Sequence, residues 1–495
     1  MISPRGAAFA ASLLALTVGG SAVAASSAPT GKTASHPEPA QRAKNVILLI
    51  GDGMGVTHVD AARQRFYGAG GNLNMERMEQ LGQVRTFAVE RDSDQPELVT
   101  DSASAATAWS SGVKTYNAAI GVDAFGEVVP TIMEQAKEAG LRTGNVTTSE
   151  ITDATPAAQF SHVSLRGCQG PDFSASACEP GSTPIAEQIA ANNVADVIFG
   201  GGLSRFEPDD EAKMEQNGYR VLGSFGDPAL EAQTAASQKV ATRTGLRGVR
   251  GRNTRVIGLF NRGNLTVEEA KHENRGIPEA REPRLEETTR KALQLLHDSD
   301  QGQEKGFFLQ VEGALIDKRS HANDAAQTLG EMKAFDDAVA AALEFARRDG
   351  NTLVMVTADH ECAGFNIIGK GSFTNAEAAT PPGNVDSGNP ANDSTPSRPA
   401  GGTKDPARST VPVNGAGEQD PANFAPATFR TADDPRGVKD GDLEAGLWLS
   451  YLSGNHTGAD VNIYASGPGA EMFDGNQDNT ELYGKMRAAL ASLGD

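Results

Sequence analysis

The sequence predicts an α/β fold, a three-layer α/β/α sandwich around a large, mostly parallel sheet, with surface insertions. Two observations predict it. Short apolar runs recur between helical patterns, and acidic or imidazole residues follow those runs rather than interrupt them. An apolar run without polar alternation marks a strand buried on both faces, as in a parallel sheet covered by helices. Alternation of such strands with helices implies the layered arrangement, and 495 residues suit one elaborated domain.

In chain order, residues 1–25 carry a single charge, Arg5, then an Ala/Leu-rich stretch and Ala22-Val23-Ala24. That is the three-part layout of a secretory signal peptide. Residues 26–44, rich in Ser, Pro and Ala, are expected to be a disordered lead-in, with the folded domain spanning 45–495. Residues 45–50 read as the first strand. A helix is expected over 130–139, begun by Pro130 and stopped by Gly140. Then come a strand at 144–148, a helix at 184–191, and strands at 196–199 and 307–311. Residues 329–348 read as a long amphipathic helix, with Phe335, Val339, Leu343 and Ala346 at helical spacing and Gly350 as its stop. A strand at 352–357 follows, and 461–465 is expected to be the last. Two stretches break the rhythm: 203–300, expected as a surface insertion with helices, and 365–440, rich in Gly, Pro, Asn, Asp, Ser and Thr, expected as a long loop.

A net charge of −20 argues against nucleic acid or an anionic membrane as partner. It also requires local cations wherever an anion is to bind. No segment after the signal region is apolar enough to span a bilayer. Cys168 and Cys178 enclose a short polar loop, which in an oxidising compartment reads as a local disulfide. Cys362 is left over, and reads as a buried free thiol or as a thiol with a role near a metal.

Ligands of open α/β sheets collect beyond the carboxyl ends of the strands. Here those ends run into Asp52, into Glu312 with Asp317 and His321 beyond it, into Asp359-His360, and into Asp153-Ala154-Thr155. Such crowding of acids is costly unless cations bind among them; mixed His and Asp donors suit zinc, and all-oxygen donors suit magnesium. Singly, each residue has an ordinary reading. Asp52 between glycines also fits a turn or cap, Asp317 and His321 fit a solvated helix face, His456 fits a loop, and Arg166 fits the surface. Ser102 opens a helix of small residues after Asp101, which fits both an ordinary cap and a nucleophile at the positive end of a helix dipole. No Ser-His-Asp arrangement is evident, so a metal would have to activate that serine.

Together the motifs resemble those of the bacterial periplasmic alkaline phosphatases. They are Val46-Ile47-Leu48-Leu49-Ile50-Gly51-Asp52-Gly53-Met54-Gly55, Thr100-Asp101-Ser102-Ala103, Thr152-Asp153-Ala154-Thr155-Pro156-Ala157, Gln310-Val311-Glu312-Gly313-Ala314, Ile316-Asp317-Lys318, Thr357-Ala358-Asp359-His360 and His456-Thr457-Gly458, all in that family's order. The resemblance implies hydrolysis of phosphate monoesters through a phosphoserine at Ser102, assisted by two zinc ions and one magnesium ion, in a periplasmic or secreted homodimer. It implies one zinc on Asp52, Asp359 and His360, activating Ser102, and another on Asp317, His321 and His456, serving the leaving oxygen and the attacking water. It implies magnesium on Asp52, Thr155 and Glu312, with Asp153 acting through water. Arg166, oriented by Asp101, is implied to clamp the phosphoryl oxygens, and Lys318 to reach them through water. The chain departs from the pattern in carrying Glu361-Cys362 where relatives often have a second histidine two residues after the Asp-His pair. A diesterase of the same superfamily and a secreted non-catalytic metal- or phosphate-binding protein are the competing readings. Arg166, whose fork suits a terminal phosphate, opposes the first; the filled set of chemical positions opposes the second.

Overall fold

A computed structural model describes residues 42–171, 177–230, 232–273, 281–370 and 427–493. The expected signal peptide, most of the lead-in and most of the 365–440 loop lie outside these residues. The described ones belong to one compact unit, Ala40–Asp495.

Ten strands form the central sheet. In chain order they are Asn45–Gly51 (β1), Gln80–Arg85 (β2), Arg142–Glu150 (β3), Val197–Gly201 (β4), Tyr219–Leu222 (β5), Arg255–Leu259 (β6), Phe307–Gly313 (β7), Thr352–Thr357 (β8), Val461–Ser466 and Gly475–Asp478. A two-stranded ladder of Glu361–Cys362 (β9) and His456–Thr457 (β10) lies outside it, so Val461–Ser466 is β11 and Gly475–Asp478 is β12. The sheet order is β12-β2-β11-β8-β1-β7-β3-β4-β6-β5. Of these ten, only β11 opposes the rest: it pairs antiparallel with β8 and β2, and every other pairing is parallel. Every residue of β1, β7 and β8 is buried, which is why β1 and β8 show no polar alternation; the polar Gln310 and Glu312 of β7 are buried and hydrogen-bonded.

Helices cover the sheet in two sets. One comprises Val56–Tyr67 (α1), Leu285–His297, Leu315–His321 and Ala325–Asp349; the other includes Ser102–Ser111 (α2), Ile132–Glu138 (α3) and Asn479–Ala489. Numbering on, Leu285–His297 is α4, Leu315–His321 is α5, Ala325–Asp349 is α6 and Asn479–Ala489 is α7. Helix α6 buries Leu329, Met332, Phe335, Val339 and Ala342, the i, i+3, i+4 stripe of an amphipathic helix. Gly350 ends it in the left-handed conformation, at φ 77°.

Three expectations need correction. Residues 203–300 are not only a surface insertion, because β5 and β6 extend the sheet and α4 packs on β3; these strands are short and flanked by charge, which hides their period. Strand β11 is not the last, since β12 and α7 follow it. The lead-in does not reach residue 44: Ala43 N–H donates to Ala489 O and Ala491 N–H to Ala43 O. The described ends of 365–440 are also paired, in a three-stranded sheet of Asn366–Ile367, Leu447–Ser450 and Ala427–Phe429. Cys168 and Cys178 form a disulfide, and Cys362 is a buried free thiol.

At the opposite rim from the residues singled out above, fully buried Asp196 precedes β4. It lies 2.5 Å from Lys137 of α3, 3.3 Å from Arg142 of β3 and 3.2 Å from Arg255 of β6, and it accepts the Thr143 N–H. Removing one partner from a buried charge cluster leaves the others uncompensated. Asp196→Ala should therefore lower the unfolding free energy by about 3–5 kcal/mol, seen as a fall in the urea midpoint; an unchanged midpoint would show that the cluster carries no such burden.

Candidate active site

The register of the central strands builds the site. Ile50 lies opposite both Glu312 and Thr357, so β1, β7 and β8 release Asp52, Glu312 and Asp359-His360 at one rim. The turn after β1 passes through Gly53 at φ 70°, where a Cβ would fall 2.9 Å from Asp317 Cα and 2.8 Å from Cys362 Cβ; glycine alone fits both the backbone and the space. Gly53 and His360 each donate a backbone N–H to Asp359 Oδ1 at 2.9 Å. This aims Asp359 Oδ2 at His360 Nε2, 3.1 Å away. Thr147 of β3, in register with Glu312, donates to that carboxylate, and Ser149 Oγ does so at 3.2 Å. Beyond β3, Asp153 caps the short helix Ala154–Ala157, which carries Thr155.

Helix α2 begins at Ser102, with Asp101 as its cap accepting the Ser104 N–H at 3.0 Å. Ser102 Oγ is buried and lies 3.3 Å from His360 Nε2. A line of alternating charge runs alongside. Arg166 donates Nη1 to Asp101 Oδ2 at 3.0 Å and Nη2 to Asp153 Oδ1 at 2.8 Å, and Lys318 Nζ donates to Asp153 Oδ2 at 2.7 Å. The Arg166 backbone N–H donates to Ala118 O, while Ala118 N–H donates to Asp101 Oδ2. Backbone and side chain thus hold the guanidinium toward Ser102's helix.

A second group forms on α5. Asp317 and His321 are one turn apart, with His321 Nε2 3.2 Å from Asp317 Oδ2. His456 of β10 brings its Nε2 to 3.5 Å from Asp317 Oδ1 and 3.1 Å from His321 Nε2. Both rings use Nδ1 on a carbonyl: His321 on Gly454 O at 2.7 Å, His456 on Thr100 O at 2.9 Å. A carbonyl only accepts, so each Nδ1 carries the proton and each Nε2 offers a lone pair to the same point. Two lone pairs and a carboxylate facing one another call for a cation. Two sets of donor atoms therefore converge, each within 4.8 Å: Asp52 with Asp359 and His360, and Asp317 with His321, His456 and Cys362.

The electrostatics agree. Asp52 Oδ1, Asp317 Oδ1, Asp359 Oδ2, Thr155 Oγ1 and His360 Nδ1 are buried without a hydrogen-bond partner, an arrangement that costs free energy unless something else binds. Burial and then the charges of Asp359, Asp317 and Glu312 push Asp52 well above its ordinary pKa. Burial, against the Thr147 hydrogen bond, raises Glu312 to about 7. Burial also opposes ionisation of Asp153, but Lys318 and Arg166 outweigh it and hold that carboxyl low. The donors fit divalent cations.

Every residue singled out from the sequence lies in this region. Three supporting groups were not singled out: Thr147 and Ser149 on Glu312, and Gln310, which accepts from Trp109 and Gln159 and donates to Thr155 O at 2.9 Å. Their only signal was a place on β3 or β7 beside the acids. Cys362 joins the Asp317 group, its Sγ 3.7 Å from Asp317 O.

A family model described as alkaline phosphatase matches residues 43–492. Alkaline phosphatase of Escherichia coli (strain K12) is 42% identical over 342 residues, covering 64% of this chain and 70% of its own length. Streptomycin-6-phosphate phosphatase of Streptomyces griseus is 37% identical over 514 residues, covering 98% of this chain and 97% of its own. Among solved structures, a cold-active alkaline phosphatase from a psychrophilic Shewanella superposes with a TM-score of 0.62 at 27% identity, covering 90% of this chain and 99% of that one.

The raised groups set the pH response of the chelator-stripped protein. The hydrogen bond that the protonated ring donates to Asp317 raises His321, and Asp317 outweighs burial to raise His456, as burial raises Asp52 and Glu312. A group whose folded pKa is raised stabilises below its unfolded pKa, and that contribution is lost as pH rises through the folded value. The stripped protein should therefore melt at progressively lower temperature from about pH 5 to about pH 8, and Glu312→Gln should flatten that slope; a melting temperature that rises over this window would contradict the account.

Proposed function

The chain belongs to the alkaline phosphatase family and is a phosphate monoester hydrolase, and from that premise we propose that it works by attack of Ser102, through a phosphoserine intermediate, with two zinc ions and one magnesium ion. The observation that carries this reading is the position of Ser102: its hydroxyl opens α2 and lies 3.3 Å from His360 Nε2, beside carboxylates with buried, unpartnered oxygens.

Asp52, Asp359 and His360 would hold one zinc ion, and Asp317, His321 and His456 the other. Asp52, Thr155 and Glu312 would hold magnesium, with Asp153 acting through water. Bound there, the cations supply Lewis acidity and neutralise charge on the attacking and departing oxygens. The chain's own residues do the rest. Ser102 Oγ loses its proton and bonds to phosphorus as the P–O bond to the ester oxygen breaks, and that oxygen takes up a proton to leave as the alcohol; water then loses a proton and bonds to phosphorus, the Oγ–P bond breaks, and Ser102 regains a proton as phosphate is released. The positive end of α2 favours the anion at both stages. Arg166, held between Asp101 and Asp153, turns remaining guanidinium donors toward two phosphoryl oxygens, and Lys318 adds positive charge within a chain of net charge −20. Positioning and neutralisation of this kind are what phosphoryl transfer demands. The same fork favours monoesters, which present a terminal phosphate, over diesters.

Residues 1–25 are read as an export signal and the active form as a homodimer in the periplasm or outside the cell; the Cys168–Cys178 disulfide supports an oxidising compartment. Among the described residues no helix is long and apolar enough to cross a membrane.

Chelation should abolish hydrolysis of p-nitrophenyl phosphate, and zinc with magnesium should restore it. Labelled phosphate, trapped by acid quench, should appear on the parent at Ser102 and be absent from Ser102→Ala, while that variant still binds phosphate. Activity indifferent to chelation, or label on another residue, would overturn the reading.

A further inference from the structure

The departure at Glu361-Cys362 has a structural counterpart. Glu361 is buried in β9, one residue beyond His360, and its carboxylate oxygens are hydrogen-bonded away from the donor side chains described above. Oε1 accepts the Phe365 N–H at 3.0 Å; Oε2 accepts the Gly364 N–H at 3.2 Å and the Thr457 hydroxyl. Thr457 follows His456, and the ladder that joins their strands is only two residues long, Glu361 opposite Thr457 and Cys362 opposite His456. So short a ladder is a weak tether. The third segment meeting here is the turn that carries Asp52. Cys362 N–H donates to Gly53 O at 3.1 Å, and a Cβ on Gly55 would fall 2.2 Å from Glu361 Cγ. One carboxylate thus binds together the chain leaving His360 and the chain carrying His456, against the turn that carries Asp52. The two rings it spaces are stacked, with centroids 3.5 Å apart.

We propose that Glu361 is a positioning residue for metal binding: by fastening Thr457 and the 364–365 backbone it sets His456 against Asp317 and His321, and so fixes the second zinc site relative to the first. The inference rests on the metal reading above. All three of these bonds are donated to the carboxylate, and two come from backbone N–H groups that cannot accept, so an amide in its place would turn an N–H group toward the Gly364 or the Phe365 N–H. Removing the Thr457 hydroxyl would cut the same tie from the other side without touching β9.

The test is zinc titration of the chelator-stripped, full-length protein in competition with a chromogenic chelator. It is run on the parent, Glu361→Gln, Thr457→Val, the double variant and His456→Ala, with the melting temperature of each stripped protein as a control on folding. The parent should bind two zinc ions. Glu361→Gln and Thr457→Val should each weaken one of them by about 10–100-fold, the range expected when a group supporting a ligand is lost, and leave the other within about threefold. The double variant should lose little beyond the larger single loss, and Glu361→Gln should add almost nothing in the His456→Ala background, since both act through one side chain. Folded variants that bind both ions as the parent does, or that lose both equally, would overturn this inference alone. A parent that binds no zinc would instead sink the metal reading. Should Glu361→Gln not fold, Thr457→Val decides.

Discussion

Mutual repulsion among buried carboxylates is the constraint on which the rest of this structure depends. Asp52, Asp317, Asp359 and Glu312 converge at one rim of the sheet, each at most 5% exposed, where water cannot screen them. Nearby cations from the chain answer only part of that charge: Lys318 and Arg166 are both committed to Asp153. Without ions, Asp52 and Glu312 answer the rest by holding protons; divalent ions neutralise the ionised acids, and a protein that gains by binding them is already prepared to offer their charge to a phosphate.

Topology makes that crowding rigid. Strands β1, β7 and β8 are adjacent and parallel, so the residues after them meet whatever the loops do. The rim is then completed by elements arriving from elsewhere: α2 brings Ser102, α5 brings Asp317 and His321, and β10 brings His456. Two of these arrivals are locked by backbone carbonyls on imidazole Nδ1, so the orientation of each ring is settled before any ion binds. Ser102 and Arg166 are likewise joined through Asp101, which caps the helix that Ser102 begins and holds the Arg166 guanidinium.

How much of this could be read from the sequence follows from what kind of contact each feature uses. Strands β1, β7 and β8 were legible because burial on both faces leaves a largely apolar run; β3, whose sequence RTGNVTTSE is mostly polar, showed only as the segment between a helix stop and Asp153-Ala154-Thr155, and the acids stood out because they follow these segments closely. Strands β2, β5, β6 and β12 were not, since edge or near-edge strands carry polar residues such as Gln80, Gln83 and Arg220 that erase the pattern. The meeting of His321 with His456, 135 residues apart, depends on the chain's return along β10 and leaves no local period. Glu361 was noticed only as a departure from a motif; its hydrogen bonds to Thr457 and to the 364–365 backbone give it a physical role that spacing does not encode.

The central claim is that cations sit among these acids, and anomalous X-ray scattering from crystals of the active, untreated protein tests it most directly. Difference maps recorded above and below the zinc absorption edge should show one peak bounded by Asp52, Asp359 and His360 and a second bounded by Asp317, His321 and His456. Active crystals with ordered side chains and no anomalous density at either position, at any metal edge, would contradict the account.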